Sequence, residues 1–256
     1  PAEGDVEHAV KAAPADQMRL LDLQAIDLAL DQLAHRRRTL PELAEISRAE
    51  QSLAGLRDDV VRAQTETEDL DREIRRLEND VDQVRQRASR DQERMASGSV
   101  SSPMELEKLE HEVASLARRQ GELEDTELEL MERREQAGSV LDAAQAALDT
   151  ASAGLAESEK RRDAVFTEID ATIADRTAAR GPLAALIPGD LLALYEKVRA
   201  GNAGIGAAML RARRCQGCHL DLAGADLAAA RDAAEDEVLR CEECRRILVR
   251  TAESGL

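Results

Sequence analysis

From Ile46 onward, apolar side chains recur in steps that alternate three and four: Ala49, Leu53, Leu56, Val60, Ala63, Thr67, Leu70, Ile74, Leu77, Val81, Val84, Ala88 and, after a slot held by Asp91, Met95. A mean spacing of about 3.5 residues keeps a narrow stripe facing a partner helix only when the helices supercoil left-handedly. A strand would need strict alternation, and on an ordinary straight helix the stripe would drift. An earlier stretch, Leu20, Leu21, Leu23, Ile26, Leu28, Leu30 and Leu33, is helical in pattern but denser and out of phase. Pro41, which lacks a backbone donor, separates the two as a kink or break.

Residues 97–102, Ser-Gly-Ser-Val-Ser-Ser, form the one clear polar break, and Ser102-Pro103 offers a start for a new helix. A second heptad register follows: Leu109, Val113, Leu116, Gln120, Leu123, Glu127, Leu130, Arg134, Ala137, Leu141, Ala144, Leu148, Ala151, Leu155, Ser158, Arg162, Val165, Ile169 and Thr172. Helices over 16–96 and 103–180 would each be roughly 115 to 120 Å long. Equal helices joined by a short loop pair antiparallel along their length, which predicts a mainly α fold built on a long antiparallel coiled-coil hairpin. The rival arrangement is a parallel homodimer through the same seams. Polar slots such as Gln120 and Glu127 do not separate the two; the matched lengths favour the hairpin. A monomer and a homodimer both remain open.

Composition agrees with a seam rather than a thick core. Aromatic residues make up 1% of the chain, Phe166 and Tyr195, whereas charged residues reach 34%. The formal net charge of −17 repels nucleic acid and anionic lipid over most of the surface, so any contact with nucleic acid has to be local. No run of about 18 uncharged apolar residues suggests a membrane span. Four cysteines confined to the last fifth of the chain do not resemble a secreted disulfide framework, and a reducing cytoplasm is expected. Residues 1–15 are expected to be a flexible start.

Gly181, Pro182, Pro188 and Gly189 predict the end of the hairpin and a C-terminal domain over 181–256. A short helix, 191–199, carries Tyr195. Gly201, Gly204 and Gly206 punctuate a loop; the missing third glycine of a dinucleotide motif and the absence of a βαβ pattern make it a turn. The informative signal is Cys215-Gln-Gly-Cys218 followed by Cys241-Glu-Glu-Cys244. Each pair lets two thiolates converge from a tight knuckle, and two knuckles complete a tetrahedron around one zinc ion. The bland reading is four free thiols or two disulfides; His219 is a conceivable substitute ligand. Four thiolates leave no open position for an activated water, so such a zinc is structural rather than catalytic. A helix over 225–234 and strands at 220–222, 238–240 and 247–250 are expected around the knuckles.

Between Tyr195 and Leu256, ten basic residues balance ten acidic ones. Arg211, Arg213 and Arg214 precede the first knuckle, and Arg240, Arg245, Arg246 and Arg250 flank the second. These edges suit phosphate contact. Equally, they suit plain compensation of the local charge of −2 on a four-thiolate zinc.

Taken with Leu194-Tyr195-Glu196-Lys197-Val198-Arg199, the step at Gly204, Cys215-x-Gly217-Cys218 and Cys241-x-x-Cys244-x-Arg246-Ile247-Leu248, the chain resembles the bacterial coiled-coil proteins that carry a C-terminal four-cysteine zinc ribbon. The resemblance implies that the four cysteines ligate zinc and that the ribbon sits on a long antiparallel hairpin. Relatives linked to sigma factors of the nitrogen-regulation type, to flagellar or secretion components and to RNA imply an adaptor. Two positions depart from that pattern: Arg245 stands where glycine is expected after the last cysteine, and Val249 where an aromatic is common. The resulting expectation is a non-enzymatic zinc-binding adaptor for protein partners in transcription or a related assembly, with nucleic-acid binding through the arginine-flanked ribbon as the alternative. Only His8, His35, His111 and His219 are present, and no phosphate loop or nucleophile elbow accompanies them.

Overall fold

The computed structural model describes residues 10–256. The elements run α1 (Pro14–Arg38), α2 (Pro41–Ala96), α3 (Pro103–Ala185), α4 (Gly189–Gly201), β1 (Ala207–Arg211), β2 (Arg214–Cys215), α5 (Gly224–Asp232), β3 (Leu239–Arg240) and β4 (Ile247–Val249). Two compact units are formed. One comprises the chain up to Pro41 together with Arg161–Leu256; the other is Glu42–Lys160.

The Glu42–Lys160 unit is the antiparallel hairpin of α2 and α3. Every predicted heptad slot of α2 is buried or half-buried, and between Leu43 and Met95 only Asp71 joins them from outside the register. On α3 the slots behave alike except Arg134, which is exposed. Antiparallel pairing is recorded by cross-helix ion pairs: Arg94 with Glu105 at 3.5 Å, Arg87 with Glu112, Arg85 with Glu124 at 2.6 Å, and Arg134 with Asp71 at 3.0 Å. Such exposed pairs fix register more than they stabilise, at about 0.2 to 1 kcal/mol each. The turn at 97–102 closes through Gly98, whose φ of +68° is left-handed.

The other unit has a conventional core. Leu20 and Leu23 of α1, Ile187, Leu191 and Tyr195 at α4, Ala207 of β1, and Ile247 and Val249 of β4 are all buried together. The dense apolar pattern of α1 follows from this. A helix packed against the strands and α4 as well as a partner helix needs more than one stripe. The four strands lie in the order β2-β1-β4-β3, with β1 and β4 parallel and both outer pairs antiparallel. Alternation then divides the sheet. Ala207, Ile247 and Val249 face the helices, whereas Ala208 and Leu248 pack with Cys215 and Cys241.

A buried polar cluster ties these layers. Asp27 accepts from Arg180 Nε at 2.6 Å and from the Tyr195 hydroxyl at 2.7 Å, while Arg199 lies 3.5 Å away. Gln24 Oε1 accepts from the backbone N–H of Gly206 at 2.6 Å, and its Nε2 donates to the Gly204 carbonyl at 2.8 Å. Gly206 permits that approach. A Cβ there would lie 2.7 Å from the Tyr195 carbonyl oxygen.

Several expectations are corrected. Gly181 and Pro182 do not end the hairpin helix. Pro182 lies inside α3, and the packing of half-buried Leu183 and Ala184 against the core holds one further turn. The boundary at 181 does not separate a ribbon domain, because α1 and the end of α3 share the ribbon's core. Of the start expected to be flexible, residues 1–9 lie outside the described residues. Lys11, however, bridges Glu237, Ala12 is buried and Pro14 opens α1. The expected strand at 220–222 is a single bridge from Asp221 to Arg214. The apolar run after Gly206, read as following a loop, is β1. The remaining elements differ by end positions: α4 and α5 begin before the expected residues, and β3 and β4 are each shorter.

Candidate metal centre

The first knuckle grows out of a tight hairpin. β1 and β2 are joined by Ala212 and Arg213, with φ of 47° and 64°, the left-handed pair that matches strand twist. Neither is the usual Asn or Gly. The strain is offset by backbone bonds of 2.8 Å from Ala212 N–H to the Glu253 carbonyl and from Arg213 N–H to the Ser254 carbonyl.

Both knuckles use one backbone design. The N–H of Cys215 donates to the Leu220 carbonyl at 3.0 Å, and that of Cys241 to the Arg246 carbonyl at 2.9 Å. The residue after each second cysteine donates back to the first, His219 to Cys215 and Arg245 to Cys241, both at 2.8 Å. Those residues adopt φ of 61° and 60°. The preference for glycine after the last cysteine is thus a real backbone demand, and Arg245 meets it with strain of about 1 to 2 kcal/mol. His219 is exposed and stands apart from the sulfur cluster, so the substitute-ligand reading is not realised.

The four sulfurs converge, all within 4.8 Å of one another. Cys215 Sγ is 3.9 Å from Cys244 Sγ, and Cys218 Sγ is 3.9 Å from Cys241 Sγ. A regular tetrahedron with zinc–sulfur bonds of about 2.3 Å has edges of about 3.8 Å, so the arrangement fits one ion with four thiolate ligands. Zinc here is structural; it supplies cross-links between β2 and the β3–β4 knuckle. Without the ion, burial pushes the Cys215 thiol up to about 12 and raises Cys241 as well. Burial opposes ionisation of Cys244 too. There the backbone and side-chain donors of Arg246, with the neighbouring thiols, outweigh it and hold the group below the ordinary thiol value.

The seven arginines separate into two sets. Arg246 bridges the knuckles. Its guanidinium donates to the carbonyls of Ile205, Gly217 and Asn202 at 3.2 to 3.3 Å, and its Cδ would be 2.7 Å from a Cβ on Gly217. Arg250 donates to carbonyls around the end of α5, including Ala233 at 2.9 Å and Glu237 at 3.0 Å. Both are building elements, because their donors are committed to backbone carbonyls. The others lie at the surface or its edge. Arg211 pairs with Glu253 at 2.8 Å, Arg214 with Asp221 at 2.9 Å and Arg245 with Glu242 at 3.1 Å. Arg213 donates to the Gly255 carbonyl and Arg240 to the Arg245 carbonyl. What sequence reading missed is the cluster of Gln24, Asp27, Arg180 and Arg199 beneath the ribbon. Its signal in the sequence is Asp27, one of three aspartates, with Asp22 and Asp31, set into the Leu-rich run of α1.

Residues 23–203 match the CT398-like coiled coil hairpin domain, and residues 214–248 match the C4-type zinc ribbon domain. The chain belongs to the CT398-like coiled-coil hairpin family. It is similar to an uncharacterized protein of Mycobacterium tuberculosis, 37% identical over 241 residues that cover 94% of this chain and 98% of the relative. A solved structure from Mycobacterium smegmatis superposes with a TM-score of 0.83 at 33% identity, covering 94% of this chain and all of that one. CT398 from Chlamydia trachomatis, at 19% identity and TM-score 0.66 over 93% and 98% of the two chains, shares the fold. None of the described helices is long and apolar enough to cross a membrane.

Proposed function

We propose that the protein is a non-enzymatic adaptor of the cytoplasm, with the coiled coil as docking rod and the zinc ribbon as recognition head. The observation that carries this reading is surplus apolar surface on the hairpin. With almost every seam slot covered, Val61, Met104, Leu106, Leu128, Met131 and Val140 remain exposed. Near the turn, Met95, Leu106, Val113 and Ala117 line a groove of about 590 Å³. These side chains lie off the seam, and where they gather into a groove, as around Leu106 and around Leu128 and Met131, the apolar surface supports contact with a partner. The closed four-thiolate site supports a structural rather than a catalytic head. Transcription-related assemblies are the partner class suggested by the family resemblance.

The test is retention of proteins from native lysate by the immobilised full chain, with and without nuclease. Partners that survive nuclease and are lost from a Met104→Ser/Leu106→Ser/Leu128→Ser/Met131→Ser variant support the adaptor. Loss of all binding on nuclease treatment would transfer the function to nucleic acid and to Arg211, Arg213, Arg214, Arg240 and Arg245.

A further inference from the structure

The seam of the hairpin is interrupted at one residue of α3. Arg134 fills a heptad slot yet stands exposed, because its Nε reaches Asp71 Oδ1 at 3.0 Å. Four residues on, Gly138 has no side chain, and a Cβ there would meet only Arg134 Nη1 at 3.7 Å. Beside this gap α2 and α3 bound a groove of about 710 Å³. Ile74, Leu128, Met131 and Gly138 line it, and Leu128 and Met131 are 59% and 50% exposed. Its rim carries the carboxylates of Glu78, Glu127, Glu132, Glu135 and Asp142, none of which has an ion-pair partner among the described residues. The one lining cation, Arg134, is already paired with Asp71.

We infer that this groove docks a basic amphipathic helix of a partner protein. The inference rests on the adaptor reading and gives the partner its chemistry. Leu128, Met131, Glu135, Gly138 and Asp142 follow one another in steps of three and four, so they form a second stripe on α3 alongside the seam. A third helix laid along that stripe meets an apolar floor with its own apolar face and five carboxylates with its Lys or Arg flanks. Charge complementarity selects this occupant. A second copy would bring the same carboxylates and a net charge of −17 to the contact, and a nucleic-acid backbone would meet only negative rim.

The experiment uses the full chain, zinc-loaded, and a labelled synthetic peptide of about 18 residues with Leu at i, i+3, i+4 and i+7 and Lys on the opposite face. Binding is followed by fluorescence anisotropy at about 0.15 M salt, where long-range attraction to an acidic protein is screened. Leu128→Ser/Met131→Ser removes the floor and leaves every charge; it should weaken binding about tenfold or more. Glu132→Lys/Glu135→Lys reverses part of the rim and should weaken it by a similar factor. Leu186→Ser, an equally exposed apolar residue outside the Glu42–Lys160 unit, should bind as the unaltered chain does. All variants change exposed side chains, and helical circular dichroism verifies their folding. Equal binding by the floor variant, or no binding by the unaltered chain, overturns the groove. If the groove fails while the chain still retains nuclease-resistant partners from lysate, the adaptor reading stands; if nothing is retained, that reading fails too.

Discussion

The hydroxyl of Tyr195 donates to Oδ2 of Asp27 at 2.7 Å, and both side chains are almost wholly withdrawn from solvent. The bond joins α4 to α1, and Arg180 brings the end of α3 to the same carboxylate. Burial alone would push the Asp27 carboxyl up. The donors Arg180 and Tyr195, with the charges of Arg180 and Arg199, outweigh it and hold the group below its usual value. Burial and the neighbouring carboxylate push the Tyr195 phenol well above its ordinary range, so it remains a donor.

Acid should therefore loosen the unit that contains this pair. A carboxyl depressed in the folded state contributes stability that is complete above its unfolded value near 3.8 and disappears as pH falls through the lower folded value. Asp27→Asn should cost about 2 to 4 kcal/mol at neutral pH, with the partial exposure of both arginines limiting the loss. It should also flatten the acid limb below about pH 4. Denaturant melts from pH 2 to 7 measure both effects, and an unchanged acid slope would remove Asp27 from this role.

Zinc removal should be read at Tyr195. The chain has one Tyr and no Trp, and that Tyr packs with Ile247 and Val249 of the ribbon. Stripping the ion with a strong chelator should change the Tyr195 emission while most helical circular dichroism persists, because the Glu42–Lys160 hairpin has its own seam. Cys241→Ser should reproduce the chelated spectrum. Loss of the whole helical signal with the metal would contradict this division.

Arg245→Gly should stabilise the knuckle by about 0.5 to 1 kcal/mol, relieving a left-handed residue at the expense of a more flexible unfolded chain. The exposed bond from Arg245 to Glu242 is worth little against that. A higher melting temperature for the zinc-loaded variant is the expected result. A lower one would show that the arginine side chain outweighs its backbone cost.

Two glycines should respond oppositely to alanine. Gly206→Ala sets a Cβ 2.7 Å from the Tyr195 carbonyl oxygen and should cost about 1 to 3 kcal/mol, since backbone has to move. Gly154→Ala, on α3 with nothing within 4 Å of the added carbon, should gain about 0.5 to 1 kcal/mol through helix propensity. Thermal melts of the two variants settle the comparison.

Periodicity and spacing by themselves determined the hairpin and the zinc site. Heptad slots are a local code in which every third or fourth residue faces the partner, so Leu53, Leu70 and Val81 were readable without knowing what opposed them. Two CxxC pairs are likewise a local code, because each knuckle aims its own sulfurs. Tertiary structure alone decided what has no period. Packing of half-buried Leu183 and Ala184 against the core carried α3 past Pro182, and the run after Gly206 became a central strand because β4 lies beside it. Asp27, which interrupts a Leu-rich stretch in sequence, is buried because Arg180, Tyr195 and Arg199 arrive from positions more than 150 residues away to satisfy it. Partners that distant leave no spacing to read, and only the folded chain brings a carboxylate and its donors together.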